Sequence, residues 1–423
     1  MPHLKSIVLL AAFAATAVTA QPLLTPADVQ VLVLEQNPAV SVAQFEAEIA
    51  ETDAALGTAG FLPSFQLRAI QRRQPLFRAG FDGIAFRSTF DATANASVTI
   101  FEGLSRVARY RRLQALADAA GFEAEATREA ILADALVAYF DVARQQEQIE
   151  ALQEAVQLSE ERLRIASDRE SFGASSELEV RRALVDLNAD RAGLLRQQNL
   201  LAGTKALLAR LIGRPDMDFA VIDTVLVDTT LQITPLLADA LADAPDLLAA
   251  QSGVDAADQA ETAVQRELWP RVDLTAGYVF DGISEPLGFD QGQVAGLNYG
   301  LTATFNVFNG FDRRRRTQTA QLRQAQARAR QEQTELAVVT ALESTYAIYE
   351  RSLALVRLEL ENVEAANQNV RVAFERFRLG VSTSLELREV QRALTAARSR
   401  LAVTLFEAKQ AEVDLLTLSS RLL

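Results

Sequence analysis

Residues 90–103 read Phe90-Asp91-Ala92-Thr93-Ala94-Asn95-Ala96-Ser97-Val98-Thr99-Ile100-Phe101-Glu102-Gly103. Residues 298–310 read Asn298-Tyr299-Gly300-Leu301-Thr302-Ala303-Thr304-Phe305-Asn306-Val307-Phe308-Asn309-Gly310. In both, apolar and polar side chains alternate up to a Phe-x-Gly exit. A period of two puts the apolar side chains on one face of a strand and the polar ones on the other. Val272, Leu274, Ala276, Tyr278 and Phe280 make a third face of this kind, and Phe65, Leu67 and Ala69 a weaker fourth. Strands are therefore expected near 63–73, 89–101, 270–280 and 298–308. The segments 74–88 and 281–297, rich in Gly, Phe and Asp, read as exposed loops between paired strands.

The two stretches belong to a longer repeat with an offset of 207 residues. Asn37-Pro38 falls on Ala244-Pro245, Phe61-Leu62-Pro63 on Leu268-Trp269-Pro270, Tyr139 on Tyr346 and Gly173 on Gly380. The matches concentrate where the backbone needs Pro or Gly, and their offset is constant, which marks a duplication. The first repeat is expected to occupy 21–212 and the second 213–423.

Each repeat carries a long helical run. Residues 104–172 contain no Pro and one Gly, Gly121; residues 311–379 contain neither, and both are rich in strong helix formers. At about 1.5 Å per residue each run would extend roughly 100 Å. After Gly173, Val180, Leu187, Leu194, Leu201 and Leu208 recur every seven residues, as do Leu387, Leu394, Leu401, Ala408 and Leu415 after Gly380. Sevenfold spacing of this extent indicates a coiled-coil-like seam.

The strands are long enough to cross a bilayer when tilted, about 9–11 residues each, although a soluble half-buried sheet alternates in the same way. In a membrane an open sheet edge has no water to satisfy it, and about eight strands make the smallest barrel. Four strands per chain would then require an oligomer. Two copies could just close a barrel filled by its own side chains; three would give twelve strands and an open lumen.

Composition narrows the classes. Residues 1–20 read as a secretory signal peptide, with Lys5, an apolar Ile7–Val18 core and a Val18-Thr19-Ala20 cleavage site. There is no Cys, and the only His is His3, so an exported chain offers neither imidazole nor thiol for catalysis or transition-metal binding. No catalytic, cofactor or metal site is expected, and no enzyme activity. The net charge of −13 argues against a nucleic-acid partner. Acidic residues near Arg at i, i+3 or i+4 spacing read as solvated helix pairs.

These residues resemble the TolC family of outer-membrane factors over the whole expected mature chain. The markers are Pro63 and Pro270 before the first strand of each repeat, the exits Phe101-Glu102-Gly103 and Phe308-Asn309-Gly310, and the turn Phe377-Arg378-Leu379-Gly380-Val381-Ser382-Thr383-Ser384-Leu385-Glu386-Leu387. The resemblance implies a mainly α chain with a membrane β-barrel portion. As a homotrimer it would share a twelve-stranded barrel in the Gram-negative outer membrane, in contact with outer-membrane lipid, and continue as a periplasmic α-barrel tunnel. It also implies the role: the passive duct of a tripartite efflux pump or type I secretion system, joined through a periplasmic membrane-fusion adaptor to an inner-membrane pump of RND, ABC or MFS type. The rival from another class is a periplasmic coiled-coil scaffold without channel activity.

By the same resemblance, Phe172, Gly173, Phe377, Arg378, Leu379 and Gly380 form adaptor-docking tips. Glu179, Glu386 and Glu389 supply an acidic ring at the periplasmic entrance, where related tips carry in addition an Arg at the position of Ser382. Arg313–Arg316 would begin the second long helix just inside the membrane. Basic charge there opposes the helix dipole, so helix stability does not account for it; contact with anionic headgroups of the inner leaflet and a solvated basic turn are the two readings.

Overall fold

The computed structural model describes residues 23–76, 85–222, 224–284 and 292–422. The expected signal peptide and the strand-connecting segments 77–84 and 285–291 lie outside the described residues. The chain runs β1 (Leu23–Leu24), α1 (Pro26–Gln36), α2 (Pro38–Asp53), β2 (Ser64–Leu76), β3 (Ala85–Phe101), α3 (Ser105–Ser171) and α4 (Glu177–Leu211), then β4 (Ala220–Val221), α5 (Ile233–Asp243), α6 (Pro245–Arg266), β5 (Arg271–Ser284), β6 (Gly292–Thr304), α7 (Asp312–Arg378) and α8 (Ser384–Leu418). It is mainly helical, as expected. Among the described residues no helix is long and apolar enough to cross a membrane.

The duplication extends to backbone geometry. The helices α1, α3 and α4 recur 207 residues on as α5, α7 and α8 with the same lengths. Positive φ falls at Gly103 and Leu104 and again at Gly310 and Phe311, at Gly173 and again at Gly380, and at Gly213 and again at Ser420. The hydroxyl of Tyr139 donates to the Leu24 carbonyl at 3.1 Å, and that of Tyr346 to the Leu231 carbonyl at 3.4 Å, the same bond in each repeat. One departure has a local cause. The helix α2 stops at Asp53, while its counterpart α6 continues to Arg266. Gly57 and Gly60, which weaken a helix, stand where the second repeat has Val264 and Glu267.

The chain divides into two compact units, each drawing on both repeats. The first joins the residues up to Glu35 with Ala135–Leu226 and Glu359–Phe406. It contains the α3–α4 and α7–α8 turns and a small core of Ile165, Ala373, Phe377 and Leu387. The second joins Gln36–Asp134, Val227–Leu358 and Glu407–Leu423. It contains a core of Leu236, Ala240, Val338, Leu342, Tyr349, Ala411 and Leu415, and a four-stranded antiparallel sheet in the order β2-β3-β5-β6. Along the heptad stripes Leu187, Leu208, Leu387, Leu394, Ala408 and Leu415 are buried and the remaining members half-buried, as a seam requires.

The strands differ from expectation at both ends. Strands β2, β3, β5 and β6 extend into the segments read as loops, to Leu76 and from Ala85, to Ser284 and from Gly292. Ladder hydrogen bonds do not depend on side chains, so pairing outlasts the apolar alternation at Arg72, Arg73 and Gln74. At the other end β6 stops at Thr304 rather than 308. Its partner begins at Arg271, directly after Pro270, which has no N–H to continue the ladder.

Candidate functional site

Two regions carry functional candidates, and each lies within one unit. In the sheet, the register aligns the apolar residues of all four strands on one face. Leu67 faces Ala94, Ala94 faces Tyr278 and Tyr278 faces Leu297; one step along, Phe65, Ala96, Ala276 and Tyr299 form the next row. Ala94 and Ala96 are half-buried and the other side chains of these rows are exposed, with Leu67 and Tyr299 each 88% exposed. From Phe90 to Ile100 the face covers about ten residue steps, which at about 3.3 Å each and a tilt of about 40° gives roughly the 25 Å apolar band of a membrane barrel. The opposite face is polar. There Gly277 sits between Asn95 and Asn298 of the flanking strands, and a Cβ on it would come within 2.2 Å of the Asn95 side-chain oxygen. Nearby, Thr99 donates to Asp273 at 2.6 Å and Ser64 and Ser97 share a bond of 2.8 Å. The outer strands β2 and β6 pair on one side only among the described residues.

The second region is the pair of helix turns. At Gly173 the amide donates to the Glu170 carbonyl at 2.9 Å and the Ala174 amide to the Arg169 carbonyl at 2.8 Å. At Gly380 the matching bonds reach Phe377 and Arg376, both at 3.0 Å. These are Schellman caps, and the positive φ of each glycine, +73° and +78°, is what they require. The residues just before the glycines, Phe172 and Leu379, project into solvent at 87% and 72% exposure, and Arg378 is exposed beside Leu379. Phe377 is different. It is 2% exposed, and the Arg169 guanidinium stacks on its ring at 4.8 Å and donates to its carbonyl. It therefore holds the tip from beneath rather than presenting a surface.

Glu179 and Glu386 lie in the first turns of α4 and α8, and Glu389 in the second turn of α8. Glu179 accepts from the Ser175 hydroxyl at 2.9 Å, and Glu386 lies 3.3 Å from Arg376. Glu389 is exposed and makes no ion pair among the described residues. Glu179 lines a groove of about 680 Å³ with Leu178, Val185, Thr383 and Leu385, a groove that Glu386 and Glu389 do not line.

A buried polar cluster between α3, α4 and α8 was not anticipated from the sequence. Arg388 grips Asp190 through two bonds of 2.6 and 2.8 Å, and Ser159 donates to the same carboxylate at 2.6 Å. Arg162, with no exposed side chain, donates to Asp186 at 2.7 Å. Burial lowers the Arg162 pKa from its ordinary value, and the Asp186 charge opposes that shift. Gln391 completes the cluster on the Ala155 carbonyl at 2.8 Å and the Ser159 hydroxyl at 3.0 Å. The signal available was a polar residue, Gln391, four positions after the heptad Leu387.

Of the four arginines that open α7, two are committed. Arg315 pairs with Asp312 at 2.6 Å, and Arg316 with Asp312 at 2.9 Å and Glu267 at 2.6 Å. The side chains of Arg313 and Arg314 make no ion pair or hydrogen bond among the described residues.

Comparison with known proteins places these features. The sequence profile described as outer membrane efflux protein matches residues 30–214 and 236–420. Protein CyaE of Bordetella pertussis is 26% identical over 87% of this chain and 78% of its own. The pyoverdine export outer membrane protein OpmQ of Pseudomonas putida is 27% identical over 91% and 84%. The fold is similar to the outer membrane protein VceC of Vibrio cholerae, with a TM-score of 0.76 at 20% identity over 93% of this chain and 95% of that one. The resemblance to TolC-like channels read from the turn and exit motifs thus holds along the chain. With the profile covering most of its length, this chain belongs to the outer membrane efflux protein family and resides in the Gram-negative outer membrane.

Proposed function

We propose that three copies of the chain close a twelve-stranded barrel and act as a passive export duct, taking cargo from an inner-membrane pump through a periplasmic adaptor. The observation that carries this reading is the sheet: its apolar face is continuous across four strands, while β2 and β6 each keep an edge that is unpaired among the described residues. In hydrocarbon such edges must be paired, and a neighbouring copy supplies the complementary edge. The polar face then lines the lumen. Exposed Phe172 and Leu379, set by Gly173 and Gly380, are the surface offered to the adaptor. Three copies each of Glu179, Glu386 and Glu389 would attract cations at the entrance.

The lock on that entrance is assigned to Arg388–Asp190 and to Arg169 on the Phe377 carbonyl, in place of an Arg at Ser382. The mechanism needs no catalytic group. The purified protein in a planar bilayer is expected to conduct in discrete single-channel steps, with crosslinking capturing a trimer. A dispersed, non-conducting product overturns the duct and favours the scaffold. Crosslinks from Leu379 in cells should recover an adaptor; their absence from a conducting trimer would remove the docking assignment alone.

A further inference from the structure

The base of the sheet carries a collar of bare apolar side chains that the core does not use. Trp269, Phe305, Val307, Phe308 and Phe311 are all more than half exposed. Phe308 and Phe311 meet edge to face at 5.4 Å, and Trp269 is wedged against Gly103, where an added Cβ would come within 2.5 Å of it. The ion pair between Arg316 and Glu267 ties the first turn of α7 to the residue two positions before Trp269. Cation and collar are thus held together. Arg313 and Arg314 follow Phe311 of the collar after Asp312 and make no ion pair among the described residues. In the first repeat their counterparts are Arg106, committed to Glu102 at 3.6 Å and to the Gly60 carbonyl at 3.1 Å, and Val107. At these two positions the unpaired cations are found in the second repeat and not in the first, within a chain of net charge −13.

We propose that Arg313 and Arg314, below the Trp269–Phe311 collar, form a binding surface for the headgroups of anionic phospholipids in the leaflet where the sheet meets the helices. Aromatic rings at the level of the headgroups and arginines just beyond them match the polarity profile of a bilayer surface. Asp312 keeps Arg315 and Arg316 folded onto the helix, while Arg313 and Arg314 are free to reach phosphate. This inference rests on the reading of the sheet as membrane-spanning.

Trp269 is the only tryptophan in the sequence and so reports on the collar. The full-length protein would be placed in lipid nanodiscs containing phosphatidylglycerol or phosphatidylcholine brominated on the acyl chains. Brominated phosphatidylglycerol is expected to quench Trp269 with an apparent affinity about fivefold or more above that of phosphatidylcholine, the scale of one surface arginine. Arg313→Gln with Arg314→Gln should bring the two lipids level, while Arg313→Lys with Arg314→Lys should keep the preference. Equal quenching in the wild type, or a preference that survives the Gln pair, overturns the proposal. If neither lipid quenches a protein that still conducts, a neighbouring copy covers the collar; the lipid surface is then overturned and the duct reading stands. A protein that neither inserts nor conducts overturns both.

Discussion

Glu129 is a buried carboxyl on α3. Burial raises its pKa from 4.5 to about 7, with the Glu125 and Asp246 charges adding to the shift and Arg128 opposing it. A carboxyl whose folded pKa lies above its unfolded one holds its proton more tightly in the folded chain. The stability it contributes is therefore present below about pH 4.5 and is lost as pH rises towards 7. Asp414, raised by burial and by Asp134, acts with the same sign. Melting followed by circular dichroism should show a Tm that rises as pH is lowered from 7.5 to 5. Glu129→Gln should be more stable than wild type at pH 7.5 and show a shallower slope, with the remainder due to Asp414. Parallel curves for the two proteins would contradict the assignment.

The elements owe their ends to single residues and their pairing to distant ones. Arg388 on α8 is 8% exposed at its side chain, and its fork holds Asp190 of α4. Removing one member of a buried pair strands the other, at a cost of about 3–5 kcal/mol. Arg388→Ala should lower urea stability by that order, and Arg388→Ala with Asp190→Ala by clearly less than the sum of the two single changes. Additive losses would mean that the pair does not couple α4 to α8. Tip opening by Asp190→Asn should appear as raised single-channel conductance without loss of the trimer. The long helices α3 and α7 were legible in the sequence to within a residue, because Pro and Gly bound the runs 104–172 and 311–379; the early end of α2 at Asp53 was not. The positions of Gly173 and Gly380 were legible for the same reason. Arg162, Asp186, Asp190 and Arg388 were not, since each looks like a solvated helix charge until the fold brings three helices together. Neither β1 nor β4 was legible: two residues each carry no period. The burial of Phe377 was hidden by its place in a turn motif, where its ring packs on Arg169, more than two hundred residues earlier.

At the scale of the whole molecule the two faces of the sheet make opposite demands, and adjacent residues of one strand can separate them. Leu297 pairs with Tyr278, which pairs with Ala94, near the middle of the apolar band; Asn298, the next residue, points to the polar face beside Gly277. If the band meets lipid, Leu297→Arg places a guanidinium near the bilayer midplane and costs about 2–4 kcal/mol in every copy. Asn298→Arg places the same charge in a watery lumen, where the loss should be small and the effect should appear as lower cation conductance. Folding into vesicles, read by urea titration and by heat-resistant trimer on gels, should therefore fail or weaken for Leu297→Arg and persist for Asn298→Arg. Equal tolerance at both positions would mean that neither face meets lipid. Equal loss would mean that both are packed against protein, as in a soluble sheet. Only the asymmetric outcome is compatible with a barrel, and the edges of β2 and β6, unpaired among the described residues, are then left to neighbouring copies of the chain, three in the closure proposed above.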